Sequence, residues 1–117
     1  MRHANKNRKF GREQKVRNTF LTGLALDLIR HGKITTTEAR AKELRKVIEP
    51  MVTLAKKGDT ASHRLAVSRL LNRKTETKKL FEVIAPNYKD RAGGYTRVIK
   101  LPVRKSDASK MAMIEFV

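Results

Sequence analysis

The stretch LIRHGKITTTEA, residues 28–39, decides the fold, because it holds the end of one helix, a strand and the start of the next helix. Gly32 follows a stripe of apolar residues at helical spacing and has the identity and position of a residue that ends a helix. The next residues, Lys33 to Thr37, are rich in β-branched side chains, which favour a strand. Thr36 or Thr37 can then act as the N-cap of a second helix.

Outward from this stretch, the apolar spacing predicts further helices and strands. Pro50 predicts a kink near Glu49 or two helices that meet there, and Pro86 is expected to end the fourth helix. Gly23, inside the first helix, is expected to mark a close approach of another backbone. The prediction is a two-layer α+β fold of order α-β-α-α-α-β-β with a small mixed sheet. The predicted helices are 12–31, 38–57, 61–71 and 76–85, and the strands are 33–37, 95–101 and 111–117, the last two forming an antiparallel pair.

Composition adds a large positive charge. The 117 residues include 28 Lys and Arg against 11 Asp and Glu, which gives a net charge of +17. This length fits one domain, and 39% hydrophobic residues suffice for one modest core. Residues 1–11 follow neither a helical nor a strand period, so we expect an extended basic arm followed by a single domain at 12–117. Such an excess indicates a polyanion as partner, a nucleic acid first and an anionic membrane surface second.

Several classes of protein are excluded or disfavoured. The chain has no cysteine, which excludes disulfide scaffolds, cysteine-ligated zinc and cysteine nucleophiles. His3, His31 and His63 lack metal-ligand spacing, and no phosphate-cradling lysine loop, dinucleotide glycine pattern or nucleophile elbow is present. We therefore expect no enzyme activity, no metal, no cofactor and no small-molecule substrate. The most apolar window, Phe20 to Ile29, is shorter than the ~18 residues of a membrane span, so no membrane role is expected. A cytoplasmic setting is the default, although the basic start leaves an organellar targeting segment open.

The positive charge is unevenly placed along the chain. The second helix is nearly balanced, because its glutamates lie three or four residues from lysines. Residues 1–20 hold seven basic residues against Glu13 alone, and we expect this excess to find no partner within reach. Two further stretches are unbalanced, residues 69–79 and the segment after residue 90.

These unpaired cations suit a nucleic-acid backbone. Each one that neutralises a phosphate releases a condensed counterion into solution, and the entropy of that release favours binding. In the arm, His3 and Phe10 could stack on unpaired bases. In RAGGYTR, residues 91–97, paired glycines let a phosphate approach bare amides, between two arginines and beside the Tyr95 ring. The alternatives are a solvated tail and an ordinary turn into a strand. The predicted RNA contacts are Arg2, His3, Lys6, Arg8, Lys9, Arg12, Lys15, Arg17, Arg91, Gly93, Gly94, Tyr95, Arg97, Arg104 and Lys105.

Two other binding classes stay open on charge alone. A DNA-compacting nucleoid protein would need a symmetric dimer or a DNA-reading helix pair, and the sequence offers no such pair with a clear recognition face. A peripheral membrane protein is disfavoured, because the first helix places its apolar stripe where a core needs it and carries no Trp.

The ordered motifs resemble a known family. The opening MRH at 1–3, ITTT at 34–37 followed by AKELR at 41–45, RAGGYTR at 91–97 and MAMIE at 111–115 closely resemble bacterial large-subunit ribosomal protein seventeen. The resemblance implies a structural constituent of the large ribosomal subunit, in the cytoplasm, that binds large-subunit ribosomal RNA near the peptide exit region. It also implies neighbouring ribosomal proteins as partners, with protein thirty-two foremost.

Two segments depart from the family pattern. Residues 12–17, REQKVR, stand where family members have a Ser- and His-containing run before an Arg, and the loop 102–110 lacks the glycine often found before Asp107. These departures put individual RNA contacts in doubt and leave the RNA role in place.

Overall fold

The fold was analysed in a computed structural model, which describes residue 8 and residues 10–117. The predicted order of helices and strands is confirmed, and the structure gives the first and last residue of each element. The helices are α1 (Gln14–His31), α2 (Glu38–Lys57), α3 (Thr60–Arg69) and α4 (Lys74–Lys79), the last followed by a π-helical turn (Leu80–Ile84) and a 3₁₀ turn (Ala85–Tyr88); the strands are β1 (Lys33–Thr37), β2 (Thr96–Leu101) and β3 (Met111–Phe116).

The α1–β1–α2 unit follows its local signals. Gly32 adopts the left-handed conformation at φ 78°, and its N–H donates to the Leu28 carbonyl at 2.8 Å. Thr37, one of the two expected N-caps, accepts from the Arg40 N–H through its side chain at 3.4 Å. Helix α2 then runs through Pro50 as one helix, so the alternative of two separate helices is wrong. Residues on both sides of the proline, among them Ile48 and Val52, are buried in the same core, so both halves of α2 pack against it.

The sheet is entirely antiparallel, and the prediction of a mixed sheet is wrong. The strand order is β1-β3-β2, and both outer strands run opposite to β3. In this register Ile34 and Val98 flank Ile114, which is fully buried. Strand order depends on contacts between residues far apart in sequence, so the local pattern could identify the strands but not the direction of every neighbour.

The segment after α4 departs from the prediction at its proline. The sequence predicts that Pro86 ends the helix, but the chain continues as a 3₁₀ turn to Tyr88. A proline in the first turn of a helical segment loses no hydrogen bond, because the N–H at that position has no intrahelical acceptor. The Tyr88 hydroxyl then donates to the Val117 carbonyl at 2.7 Å, which ties this turn to the end of β3.

The helices cover one face of the sheet and enclose a single cluster of buried side chains. Its members include Leu28 and Ile29 of α1, Leu44 and Ile48 of α2, and Ile114 of β3, and its largest fully buried side chain is that of Tyr95, just before β2.

The apolar stripe that the sequence predicted as the core side of α1 is buried only in part. Leu21, Ala25, Leu28 and Ile29 are buried, whereas Val16 is 53% exposed and Phe20 and Leu24 are half-buried, so the prediction of a buried stripe is wrong for these three residues. The opposite face of the sheet and the outer side of α1 are left at the surface.

Candidate nucleic-acid interface

Most of the lysines and arginines that the structure describes have no carboxylate oxygen within 4.0 Å. Seven lysines and arginines in the described part of the chain have a carboxylate oxygen within 4.0 Å: Arg8, Arg30, Lys42, Lys46, Arg97, Lys100 and Arg104. The helical pairs Glu38–Lys42 and Glu43–Lys46 are those expected from their spacing. The other described lysines and arginines have no carboxylate this close. These unpaired cations are the groups available to a polyanion.

Arg8 is anchored, although the sequence predicted no partner for the arm. Its guanidinium donates to the Glu43 carboxylate at 2.9 Å, and the Glu43 side chain is nearly buried. Lys46 donates to the same oxygen at 3.0 Å. The prediction failed here because Arg8 and Glu43 are 35 residues apart in sequence.

Phe10 also lies against the helices. Its ring meets the Phe20 ring edge to face, with 5.9 Å between centroids. The guanidinium carbons of Arg12 and Arg40 lie over the Phe20 ring at 4.3 and 5.0 Å. Such contacts between an arginine and an aromatic ring stabilise by roughly 0.5–1 kcal/mol each at exposed sites. Phe10 thus packs within the protein, instead of presenting a ring for an unpaired base as predicted.

Two neighbouring cavities form a groove along the outer side of α1, which we call the α1 groove. They have volumes of about 480 and 460 Å³ and share Thr19 and Phe20. Unpaired cations stand at both ends, Arg12 and Lys15 at one and Arg73 at the other. The remaining lining residues are Val16, Gly23, Leu24, Leu26, Asp27 and Arg30.

Gly23 opens this groove. A Cβ placed on it would meet nothing within 4 Å, so the expected close approach of another backbone is wrong for the described residues. Its lack of a side chain instead leaves the middle of the groove clear. A ligand backbone could therefore approach α1 closely at this position.

The turn between α3 and α4 presents a second group of cations. Two successive residues, Leu71 and Asn72, adopt positive φ of 56° and 60°, which ends α3 before the predicted position. The turn exposes Arg69, Arg73 and Lys74. The sequence shows the basic excess of residues 69–79, but these arginines are not among the predicted contacts. What the sequence could not show is that Arg73 reaches the α1 groove.

Arg30, near the end of α1, forms hydrogen bonds with two residues of α4 beside the groove. Its Nε donates to the Glu76 carboxylate at 2.6 Å, and its backbone carbonyl accepts from Lys79 at 2.8 Å. The hydrogen bond from Arg30 lowers the pKa of Glu76 below its ordinary value. These contacts hold Arg73, at the start of α4, in a fixed position relative to α1.

Tyr95 is a core residue and not a surface ring. Its side chain is 1% exposed, and its hydroxyl accepts from the Lys56 ammonium at 3.0 Å and from Thr53 at 3.3 Å. The same hydroxyl donates to the Arg91 carbonyl at 3.2 Å. The bond from Lys56 lowers the pKa of the Tyr95 hydroxyl. The predicted contact between this ring and RNA is corrected: the ring positions the loop that precedes β2.

The rest of the 91–97 stretch divides between surface and structure. Arg91, Gly93 and Gly94 are exposed, and Gly94 has a φ of 63° that favours glycine. Arg97 pairs with Glu115 on the neighbouring strand at 3.1 Å. The exposed part of this loop is therefore its first half.

The loop between β2 and β3 carries two predicted RNA contacts, Arg104 and Lys105, and Arg104 is bound to a carboxylate within the loop. Arg104 donates twice to the Asp107 carboxylate, both times at 2.9 Å, and this pairing holds the Asp107 pKa well below its ordinary value. Lys105 is exposed and has no carboxylate nearby. Arg104 closes the loop, and Lys105 remains available to a ligand.

Four predicted contacts, Arg2, His3, Lys6 and Lys9, lie outside the described residues. Lys15 and Arg17 lie in the first turn of α1 and Arg12 lies just before the helix; Arg12 and Lys15 line the groove. Within residue 8 and residues 10–117, no group of acidic or histidine side chains is arranged to hold a metal ion. No helix in the same part of the chain is long and apolar enough to cross a membrane.

Comparison with known proteins identifies relatives over the whole chain. The family model described as "Ribosomal protein L17" matches residues 20–117. A large ribosomal subunit protein bL17 of Sphingopyxis alaskensis is 50% identical over 117 residues, covering 100% of this chain and 84% of that protein. The protein of the same name from Sulfurimonas denitrificans is 49% identical and is covered completely, as is this chain. A third, from Trichlorobacter lovleyi, is 47% identical over 100% of this chain and 94% of its own length.

Proposed function

Because this chain belongs to the ribosomal protein L17 family, we propose that its unpaired cations bind large-subunit ribosomal RNA, mainly through phosphates and shape. The coarser role is that of the family: the chain is a structural component of the large ribosomal subunit, it is not an enzyme, and it works in the cytoplasm as part of the ribosome.

The observation that carries the RNA proposal is the α1 groove. Arg12 and Lys15 at one end and Arg73 at the other have no carboxylate within 4.0 Å, and Gly23 keeps the middle of the groove open. An RNA backbone laid along α1 would therefore meet cations at both ends and no steric obstacle between them. Each phosphate engaged releases condensed counterions, which favours binding.

The exposed loops supply additional contacts in this proposal. Within the described residues neither Arg91 nor Lys105 has a carboxylate oxygen within 4.0 Å, and the exposed Gly93 and Gly94 leave their amides open to a phosphate. Arg8, Arg97 and Arg104 are weaker candidates, because a phosphate would have to compete with the carboxylate that each already contacts. The predicted contacts of residues 1–7 and 9 are kept as part of the proposal.

The family resemblance also supports two finer proposals. One places the chain near the peptide exit region of the large subunit, and the other makes ribosomal protein thirty-two its neighbour. Protein–protein cross-linking in purified large subunits tests both: cross-linked peptides should join this chain to protein thirty-two and to proteins that surround the exit. Cross-links exclusively to proteins far from the exit would contradict the placement.

A salt titration tests RNA binding by the groove. We expect the triple variant Arg12→Gln, Lys15→Gln, Arg73→Gln to weaken binding to large-subunit ribosomal RNA. The slope of log affinity against log salt should become shallower by about one for each phosphate that the variant no longer engages. Binding is measured by fluorescence anisotropy over a salt series, with duplex DNA as competitor.

The matched control is Arg97→Gln, which removes a cation of the same kind that already contacts Glu115. Its salt slope should stay near that of the wild-type chain. Equal slopes for the wild-type chain and the triple variant would remove the groove from the RNA interface. Preference for duplex DNA over ribosomal RNA at fixed salt would instead favour a DNA-compacting role.

A further inference from the structure

The sheet has a second face that turns away from the helices. Alternate residues of β3 point into the core, so Met111 and Met113 lie on the opposite side. The register places Met113 beside Ile99 and Met111 beside Leu101. Ile99 is exposed at 36%, and the other three side chains are half-buried. We call these four residues the outer sheet face.

A charged row borders this face at one end. Glu115 lies between Lys33 on β1 and Arg97 on β2, and the Arg97 Nε donates to its carboxylate at 3.1 Å. Lys33 is exposed, and within the described chain it has no carboxylate closer than 4.0 Å. The row thus holds one ion pair and one cation without a carboxylate, whereas the α1 groove has three such cations, Arg12, Lys15 and Arg73, in addition to its own Arg30–Asp27 pair.

The chemistry of this face suits a protein better than RNA. The charged outward positions of the three described strands are Lys33, Arg97 and Glu115, and because Arg97 and Glu115 pair, the face offers a phosphate backbone one unpaired cation. Methionine side chains adapt to irregular apolar partners and are enriched at protein interfaces. A second copy of the chain is disfavoured as the occupant, because two chains of net charge +17 repel each other.

We propose that the outer sheet face docks a neighbouring protein of the large subunit. The partner segment lays aliphatic side chains over Met111 and Met113 and places a carboxylate beside Lys33. This inference rests on the proposed function only in requiring that the chain is assembled in the large subunit. It does not depend on the RNA contacts of the α1 groove, and it assigns the protein contact to a separate set of residues.

The absence of cysteine from the chain makes a direct test possible. The full-length variant Ile99→Cys carries a single thiol, which is labelled with a photoreactive benzophenone maleimide and assembled into large subunits. After irradiation, the products are treated with ribonuclease and identified by mass spectrometry. Lys105→Cys, labelled in the same way on the loop between β2 and β3, is the matched variant for RNA.

We expect the cross-link from position 99 to survive ribonuclease and to join another ribosomal protein, while the label at position 105 joins RNA. A cross-link from position 99 to RNA, to a second copy or to another part of the same chain overturns the docking proposal. So does a label at position 99 that forms no cross-link in assembled subunits.

Charge reversal at the edge tests the stated chemistry of the partner. In the Ile99→Cys background, Lys33→Glu should greatly lower the yield of the protein cross-link, because it would face the partner's carboxylate with a like charge. Lys33→Arg should retain the yield, and an unchanged yield with Lys33→Glu overturns the carboxylate assignment. If the wild-type chain does not enter large subunits, the proposed function is wrong. If it enters them and the label at position 99 cross-links to RNA, the docking proposal alone is wrong.

Discussion

The α1 groove and the outer sheet face use the same kinds of residue in different ways. In the groove, Arg12 and Arg73 lie beside an open channel without carboxylate partners. On the sheet, Arg97 is held by Glu115, and the neighbouring surface is made of methionine and aliphatic groups. Net charge is therefore a poor guide to where a basic protein binds RNA. What matters is which cations the fold leaves unpaired.

The largest expected effect is on the stability of Tyr95 variants, because the Tyr95 ring is buried in the core and holds the loop before β2 in place. Tyr95→Ala should lower the free energy of unfolding by roughly 3–5 kcal/mol, as for other large buried side chains. Tyr95→Phe should cost about 1 kcal/mol, since it removes only the hydroxyl that accepts from Lys56. Both values are measured by urea denaturation.

The RNA affinity of folded Tyr95→Phe sharpens the comparison. It should match that of the wild-type chain, because the ring is buried and the groove lies on another element. A large loss of affinity with unchanged stability would return Tyr95 to the RNA interface.

Smaller effects are expected at Gly23, where one substitution should raise stability and a larger one should weaken RNA binding. Gly23→Ala should raise the free energy of unfolding by up to about 1 kcal/mol, because alanine favours a helix interior and its Cβ meets open space. Gly23→Leu should fill the groove and weaken RNA binding. A leucine variant with wild-type RNA affinity would show that no ligand approaches α1 here.

The smallest expected effect concerns pH. The pKa of Glu76 is lowered in the folded chain by its hydrogen bond from Arg30, so the carboxylate contributes stability above its unfolded pKa. That contribution is lost as the pH falls through the lower folded value. Thermal melts should therefore show that the wild-type chain loses more stability than Glu76→Gln between pH 5 and pH 3. Parallel losses would mean that the Arg30–Glu76 pair contributes nothing measurable.

Local signals in the sequence predicted much of the fold. Gly32 and Thr37 each mark an element boundary that depends on that residue's own backbone or side chain. The direction of β1 relative to β3, by contrast, depends on pairing with residues far along the chain. A pattern read along the chain does not contain that information.

The candidate site was harder to predict for the same reason. Unpaired charge in the sequence identified the basic stretches, but the pairing of Arg8 with Glu43 spans 35 residues and became visible only in the fold. Tyr95 follows two exposed glycines, and nothing in its immediate sequence indicates that the ring is buried. Arg73 lies far along the chain from the helix whose groove it lines.

Directed hydroxyl-radical cleavage tests the division between the two surfaces most directly. Single cysteines replacing Thr19, in the α1 groove, and Ile99, on the outer sheet face, carry an iron chelate in assembled large subunits. Cleavage of ribosomal RNA should be strong from position 19 and weak from position 99. Equal cleavage from both positions, or stronger cleavage from position 99, would contradict the division of the surface into an RNA side and a protein side.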